Sequence, residues 1–151
     1  MKHDRYTPIS KAGDLSVFEF MSVGRNGSIK KRVVFAKTDM RGIYNLAFGN
    51  IRSDNSMDDG FINDNGDRNE ILATVAQAVD IYTQRYPRRW IYFRGNTPTK
   101  TRLYRMVISI YWGELSQKFE IYADVDGKEH FIPFQRNMLL DGFLIRRRIV
   151  L

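Results

Sequence analysis

The sequence predicts an α+β protein with a mostly antiparallel sheet of about six strands and two helices, in the order β-β-β-α-β-α-β-β. β-Branched and aromatic residues form short runs around Asn26-Gly27 and Asp126-Gly127, which are strong hairpin signals. Two longer stretches repeat apolar residues at helical spacing. The 151 residues, 43% of them hydrophobic, suffice for one core, so we expect a single domain over residues 1–151.

The first three strands follow from the runs that come before the acidic part of the chain. Residues 17–23 and 29–37 are rich in strand-forming types and flank the Asn-Gly turn, which predicts a hairpin. Residues 43–50 alternate apolar and small or polar side chains and predict a third antiparallel strand. Residues 51–66 hold four aspartates among Ser, Asn and Gly, so we expect a long polar loop.

The first helix is predicted from its cap and its periodicity. Asp67 and Glu70 have the spacing of a capping box, and apolar residues then recur from Ile71 to Tyr86. This pattern predicts an amphipathic helix of about five turns. Pro87 ends it because proline cannot continue a helix.

A buried strand and a second helix come next. Residues 90–93 (WIYF) form a continuous apolar run, which is typical of a strand in the centre of a sheet. Thr97 and Pro98 are suited to the N-cap and the first helical position. Apolar residues at helical spacing then predict a helix to about Leu115.

The C-terminal part predicts closing strands. Residues 119–125 and 128–134 flank Asp126-Gly127 and predict a hairpin, in which Pro133 marks an edge or a strand end. Residues 143–151 are compatible with a short strand or a short helix. The strand-helix-strand unit after the third strand supplies the one parallel crossover.

Composition limits the function. The chain has no cysteine, which excludes disulfides, thiolate metal ligands and cysteine nucleophiles. It has no apolar stretch long enough for a signal peptide or a membrane span, so we expect a cytoplasmic protein without membrane contact. The two imidazoles, His3 and His130, have no recognisable partners, and the aspartates from Asp54 onward do not fit a calcium loop, so we expect no metal site.

The charge balance points to anionic partners. Lys and Arg number 24 against 17 Asp and Glu, which gives a formal net charge of +7. A field of this sign favours a phosphorylated small molecule, an acidic protein or nucleic acid. Basic residues cluster at 30–32, 88–89 and 146–148, and we expect the first cluster to lie on the solvent face of its strand.

Two segments are candidates for a ligand site at the carboxyl edge of the sheet. At the second helix, backbone N–H groups and basic side chains are expected to bind an anion, and the candidate residues are Arg94, Gly95, Asn96, Thr97, Lys100, Arg102 and Arg105. At the first helix the candidates are Asn65, Gly66 and Asp67. The structural alternative is that Asp67 and Thr97 only cap helices, that the glycines only permit turns, and that the basic residues cover a solvated helix face.

Five stretches resemble an uncharacterised family of bacterial proteins of about this length, mainly from the Bacteroidetes. They are Tyr6-Thr7-Pro8, Asn65-Gly66-Asp67, Leu72-Ala73-Thr74-Val75, Phe93-Arg94-Gly95-Asn96-Thr97 and Thr101-Arg102-Leu103-Tyr104-Arg105-Met106. The resemblance covers nearly the whole chain and implies a shared fold, but it implies no activity.

The element order also resembles that of the GNAT-type acetyltransferases, and Asn96 with Leu103-Tyr104 looks like a stretched form of a pattern that opens one of their helices. This resemblance implies acetyl-coenzyme A as a possible cofactor and Tyr104 as the acid that protonates the departing thiolate. We therefore expect a ligand-binding or protein-interaction domain with an anion-binding helix N-terminus. The alternatives are a GNAT-like acyltransferase and a nucleic-acid-binding or toxin-antitoxin component.

Overall fold

A computed structural model of the chain describes residues 5–58 and 65–149. These residues contain nine strands and three helices, and they confirm the α+β class with a mixed sheet larger than predicted. The elements are β1 (Ile9–Ser10), β2 (Val17–Gly24), β3 (Gly27–Lys37), β4 (Ile43–Ile51), β5 (Met57–Asp58), α1 (Arg68–Arg85), β6 (Trp90–Phe93), α2 (Pro98–Ile110), α3 (Trp112–Lys118), β7 (Phe119–Asp124), β8 (Ile132–Pro133) and β9 (Gly142–Arg147).

The chain divides into two compact units. The first consists of Met1–Ala36 and Leu46–Arg85, and the second of Lys37–Asn45 and Tyr86–Leu151. The boundary falls inside β4, so this strand contributes residues to both units.

The first unit is built on the predicted hairpin. β2 and β3 pair antiparallel from Val17↔Val34 to Gly24↔Gly27, and Gly27 has a φ of +85°, which favours glycine at this turn. The short edge strand β1 pairs with β2. Because side chains alternate along a strand, one face of the hairpin is buried along its middle, with Phe18, Phe20, Val33 and Phe35 at its centre.

Helix α1 covers this buried face, and its predicted extent is confirmed. It ends at Arg85, two residues before Pro87. The ring of Tyr82, which is 1% exposed, stacks on that of Phe35 with 4.0 Å between centroids. The buried hydroxyl of Thr83 donates to the Val79 carbonyl, so it leaves no unsatisfied group in the core.

Two predictions for the first unit are wrong. Lys31 does not lie on a solvent face, because it has the same strand phase as Val33 and Phe35 and is buried, and its ammonium donates to Asn50 Oδ1. The segment after β4 is not all loop. β5 pairs with the end of β4 through Asn50↔Asp58, whereas positions 59–64 of the predicted loop lie outside the described residues.

In the second unit, β6 lies between β4 and β9. It is parallel to β4 through Ile43↔Trp90 and antiparallel to β9, which confirms its central place and the parallel crossover. β9 then pairs with β7, and β7 pairs with β8, which gives the order β4-β6-β9-β7-β8. Residues 143–151 were compatible with a short strand or a short helix, and most of them form β9, which is an inner strand of the sheet.

The core of the second unit lies between one sheet face and the helices α2 and α3. Ring contacts connect the sheet and the segment after β8 to both helices: Tyr104 is edge-on to Phe93, Phe93 stacks on Phe143, and Phe134 contacts both Phe143 and Trp112. The contact between Tyr104 and Phe93 anchors the middle of α2 to the end of β6.

Two further predictions needed correction. The second helix is not continuous to Leu115, because the backbone leaves helical geometry at Tyr111 (φ −99°, ψ 19°) and α3 begins at Trp112. The closing hairpin is not tight around Asp126-Gly127. β7 and β8 pair only through Tyr122↔Pro133 and Ala123↔Ile132, so a longer loop joins them. No helix among the described residues is long and apolar enough to cross a membrane.

Candidate anion-binding site

The junction between β6 and α2 is held by a reciprocal contact between a glycine and a threonine. The Gly95 N–H donates to Thr101 Oγ1 over 3.0 Å, and the Thr101 hydroxyl lies 3.3 Å from the Gly95 carbonyl. A Cβ atom on Gly95 would lie 2.4 Å from Thr101 N, so only glycine fits this approach. Both residues are buried, and together they fix the path of the chain into the helix.

Thr97 caps α2 as predicted. Its backbone is extended, its side chain accepts from the Lys100 N–H over 3.2 Å, and its carbonyl accepts from the Thr101 N–H over 3.1 Å. With the Gly95 N–H also bonded, three backbone donors of the junction already serve the protein's own oxygens. These donors are thus already occupied, which leaves the helix dipole and the basic side chains as the groups that could attract an anion.

The basic side chains of the junction differ in exposure. Arg94, Asn96 and Arg102 are exposed residues, whereas Lys100 is half-buried. Arg105 is also half-buried, and its Nη1 donates to the Met138 carbonyl over 3.4 Å. The exposed guanidinium groups are those suited to meeting a ligand from solution.

The stretch of sequence that forms the junction carries charged side chains of one sign only. The 24 residues from Trp90 to Gly113 contain four basic residues and no acidic residue. α2 has no acidic residue in its first turn, where helices usually place one. The positive end of the helix therefore coincides with basic side chains from a stretch of sequence that has no carboxylate.

The charge is also divided unequally between the two units. The first unit has 10 Lys and Arg against 10 Asp and Glu, and the second has 14 against 7. The formal excess of +7 thus belongs entirely to the second unit, which contains the β6–α2 junction. Sequence reasoning missed this division because the chain had no visible domain boundary.

Asn65, Gly66 and Asp67 belong to the first unit, where the two side chains are buried. Asn65 Nδ2 donates to Ser22 Oγ and to the Gly27 carbonyl, both over 3.0 Å, and Asn65 Oδ1 accepts from the Asn26 N–H. The Asn65 amide thus ties the β2–β3 hairpin to the start of α1.

Asp67 occupies the capping position of α1 but does not cap through its side chain. Its Oδ2 accepts from the hydroxyls of Tyr6 and Ser22, each over 2.5 Å, and only its carbonyl bonds the helix, at Ile71 N–H. Burial and the hydrogen bond to Asp67 raise the pKa of Tyr6. Among buried side-chain polar atoms of the described residues, only Asp67 Oδ1 has no hydrogen-bond partner.

Tyr6 and Ser22 were missed as partners of this buried network. Ser22 carries a signal in the sequence, because it continues the inward phase of Phe18 and Phe20 with a polar side chain. Tyr6 has no such signal, since it lies outside any periodic segment.

Tyr104, the predicted acid, lies on α2 and is half-buried, with its ring edge-on to Phe93 at 5.9 Å between centroids. No group of three or more His, Asp or Glu residues within 5–58 and 65–149 is arranged to hold a metal ion.

Comparison with known proteins defines the family but gives no activity. No curated protein matches the chain, and no solved structure matches it. A model of a family of unknown function, DUF6934, matches residues 2–148. The chain therefore belongs to this family of unknown function, DUF6934.

Proposed function

We propose that the protein is a binding module whose second unit takes an anionic partner at the β6–α2 junction. The observation that carries the proposal is the charge division, because a unit with twice as many basic as acidic residues attracts anions at long range. Arg94 and Arg102 would contact the ligand, with Asn96, Thr97 and Lys100 beside them. The ligand class is a phosphorylated molecule, an acidic protein or nucleic acid.

The junction supports this role through its rigidity as well as its charge. The Gly95–Thr101 contact and the Thr97 cap fix the first turn of α2, so the basic side chains extend from a preorganised backbone. Preorganisation lowers the entropic cost of binding, and the dipole of a 13-residue helix adds a favourable field at its N-terminus.

The test is a binding titration with matched charge reversals. The probes are a fluorescently labelled glutamate homopeptide, a single-stranded oligonucleotide and inorganic pyrophosphate. Arg102→Glu and Arg94→Glu should each weaken binding by about tenfold at low salt, because each removes one direct ion contact and adds a repulsion. The slope of log affinity against log salt should fall by about one for each contact that an oligonucleotide loses.

Arg68→Glu is the control, because Arg68 is an exposed residue at the start of the other long helix and lies in the first unit. It changes the net charge by the same amount and should alter binding by less than about twofold. If Arg68→Glu weakened binding as much as Arg94→Glu or Arg102→Glu does, only the total charge of the protein would matter. The absence of binding by all three probes would overturn the proposed function.

Acyl transfer from an acyl-coenzyme A is a second candidate, favoured by the order of the longer elements, β2-β3-β4-α1-β6-α2, and by Tyr104 next to the end of β6. The buried carboxyl of Asp67 weighs against it, since a negative charge at the start of α1 opposes a pyrophosphate there. Acetyl-coenzyme A should raise the melting temperature of the wild type if this candidate is correct. Tyr104→Phe should then retain the binding and lose the transfer, and no shift at millimolar ligand excludes the candidate.

A further inference from the structure

The outer side of α2 carries an unusual row of exposed residues. Arg102, Met106 and Ile110 follow at intervals of four, so they lie in one line along the helix. All three are exposed, and Met106 and Ile110 retain 44% and 64% of their accessible surface. The row therefore begins with a cation and continues with two apolar side chains.

The opposite side of α2 explains why this row faces outward. Thr101, Ile108 and Ser109 are buried, and Tyr104 packs on Phe93, so the helix is already anchored to its own unit. A solvated helix face is normally polar, whereas this one exposes large apolar side chains next to arginine. Adjacent exposed apolar residues of this kind mark interaction sites more often than scattered single ones.

A neighbouring loop adds a third apolar side chain. The Asn137 N–H donates to Ser109 Oγ over 3.2 Å, and the Arg105 guanidinium donates to the Met138 carbonyl. These bonds attach the loop to the side of α2. Leu139 follows directly in this loop and is 80% exposed, the largest exposed fraction among the large hydrophobic residues of the described chain.

We propose that this surface, formed by Arg102, Met106, Ile110 and Leu139, binds an acidic segment of a partner protein that also carries apolar side chains. The inference rests on the proposed function and names the partner class. The carboxylates of the segment would meet Arg102 and Arg94, and its apolar side chains would cover Met106, Ile110 and Leu139.

The chemistry of the surface favours a protein over a nucleic acid. Bases bind to proteins by stacking on aromatic rings, and the surface has no aromatic residue among its four members. Phosphates need hydrogen-bond donors, which the methionine, isoleucine and leucine side chains do not have. A peptide with both carboxylates and apolar side chains satisfies both halves of the surface at once, because its charges and its apolar groups complement them.

The experiment compares two labelled peptides of equal charge, a glutamate homopeptide and a glutamate–leucine peptide. The wild type should bind the glutamate–leucine peptide about tenfold more tightly, because its leucines bury apolar surface on α2. The double variant Met106→Ser with Ile110→Ser should lose this preference and bind the homopeptide within about twofold of wild type. Arg102→Glu should weaken both peptides.

The controls are Met40→Ser and Ile149→Ser, since these residues are 58% and 57% exposed in the same unit but lie outside the surface. They should leave both affinities unchanged, and circular dichroism should show that every variant is folded. Equal affinity of the wild type for the two peptides would overturn this inference alone. If the wild type bound none of the probes, neither the two peptides nor the oligonucleotide nor pyrophosphate, the proposed function would be overturned as well. The wild type could instead bind the oligonucleotide or phosphatidylserine vesicles more tightly than the glutamate–leucine peptide. If the double variant lost that binding, the surface would be assigned to that ligand and the protein partner would be rejected.

Discussion

Replacing Gly95 by alanine tests whether the β6–α2 junction depends on a close backbone approach. The added Cβ would lie 2.4 Å from Thr101 N and 2.6 Å from Lys100 Cβ, whereas ordinary van der Waals contact lies at 3.4–4 Å. The first turn of α2 must therefore move by about 1 Å. Because the main obstacle is backbone, a change of side-chain rotamer cannot relieve it.

The expected cost combines overpacking with a weakened hydrogen bond. Overpacking a buried site costs about 1–3 kcal/mol, and the loss of the bond from the Gly95 N–H to Thr101 Oγ1 costs about 1 kcal/mol more. Gly95→Ala should thus lower the free energy of unfolding by about 2–4 kcal/mol. The variant should also bind the glutamate homopeptide less tightly, because the basic side chains move with the turn.

The assay is urea denaturation followed by tryptophan fluorescence. The chain has two tryptophans, Trp90 and Trp112, and both belong to the second unit, so the signal reports on the unit that carries the change. Gly113→Ala is the control, because Gly113 is exposed in α3 with no atom within 4 Å of an added Cβ. The control should gain up to about 1 kcal/mol from helix propensity. A Gly95→Ala protein within about 0.5 kcal/mol of wild type would refute the reasoning.

Two further predictions concern hydrogen-bonded carboxyl groups. Asp67→Ala should lower the free energy of unfolding by about 3–5 kcal/mol, because it removes the acceptor of two hydroxyl hydrogen bonds. Asp67→Asn keeps one side-chain oxygen and should lower the free energy of unfolding by about 1–2 kcal/mol. Equal losses of the two variants in thermal denaturation would contradict the proposed hydrogen-bond network. In the second unit, burial and the hydrogen bond to Asp124 raise the pKa of Tyr92 to about 12. Since this folded-state pKa lies above the ordinary value of about 10, the stabilisation is intact below pH 10 and is lost as the pH rises through about 12. Ultraviolet titration should detect this late ionisation, and Tyr92→Phe should remove it.

The elements that sequence reasoning predicted well are those fixed by local chemistry. Asn26-Gly27 fixes the β2–β3 turn, and the apolar spacing with Pro87 fixes α1. The end of α2 was missed because Ile110, Tyr111, Trp112 and Leu115 supply apolar side chains on both sides of the break, so the pattern alone cannot separate one helix from two.

The inner position of β9 depends on packing that no local pattern records. Gly142 begins this strand, and a Cβ there would lie 2.4 Å from the Tyr92 hydroxyl, so the glycine admits a ring from the paired strand β6. The closing hairpin was misjudged because Asp126-Gly127 indicates a tight turn, but β8 contains Pro133, which has no N–H to donate, and pairs through only two residues.

The sequence predicted the residues of the candidate site better than the hydrogen bonds that these residues form. Thr97 was recognised as a cap and Gly95 as a turn residue, but the bonds that occupy their backbone donors depend on Thr101. Asp67 was predicted to cap α1 with its side chain, and that side chain instead bonds Tyr6 and Ser22, which are distant in sequence. Long-range polar contacts of this kind cannot be read from spacing.

The central claim is that an anionic partner binds at the β6–α2 junction of the second unit. Its most direct test is an NMR titration of the ¹⁵N-labelled protein with the glutamate homopeptide, repeated at high salt. Amide shifts should concentrate between Arg94 and Arg105 and return toward their free positions as salt screens the charges. Shifts confined to the first unit, including Asn65 to Asp67, or spread evenly over the chain would contradict the claim.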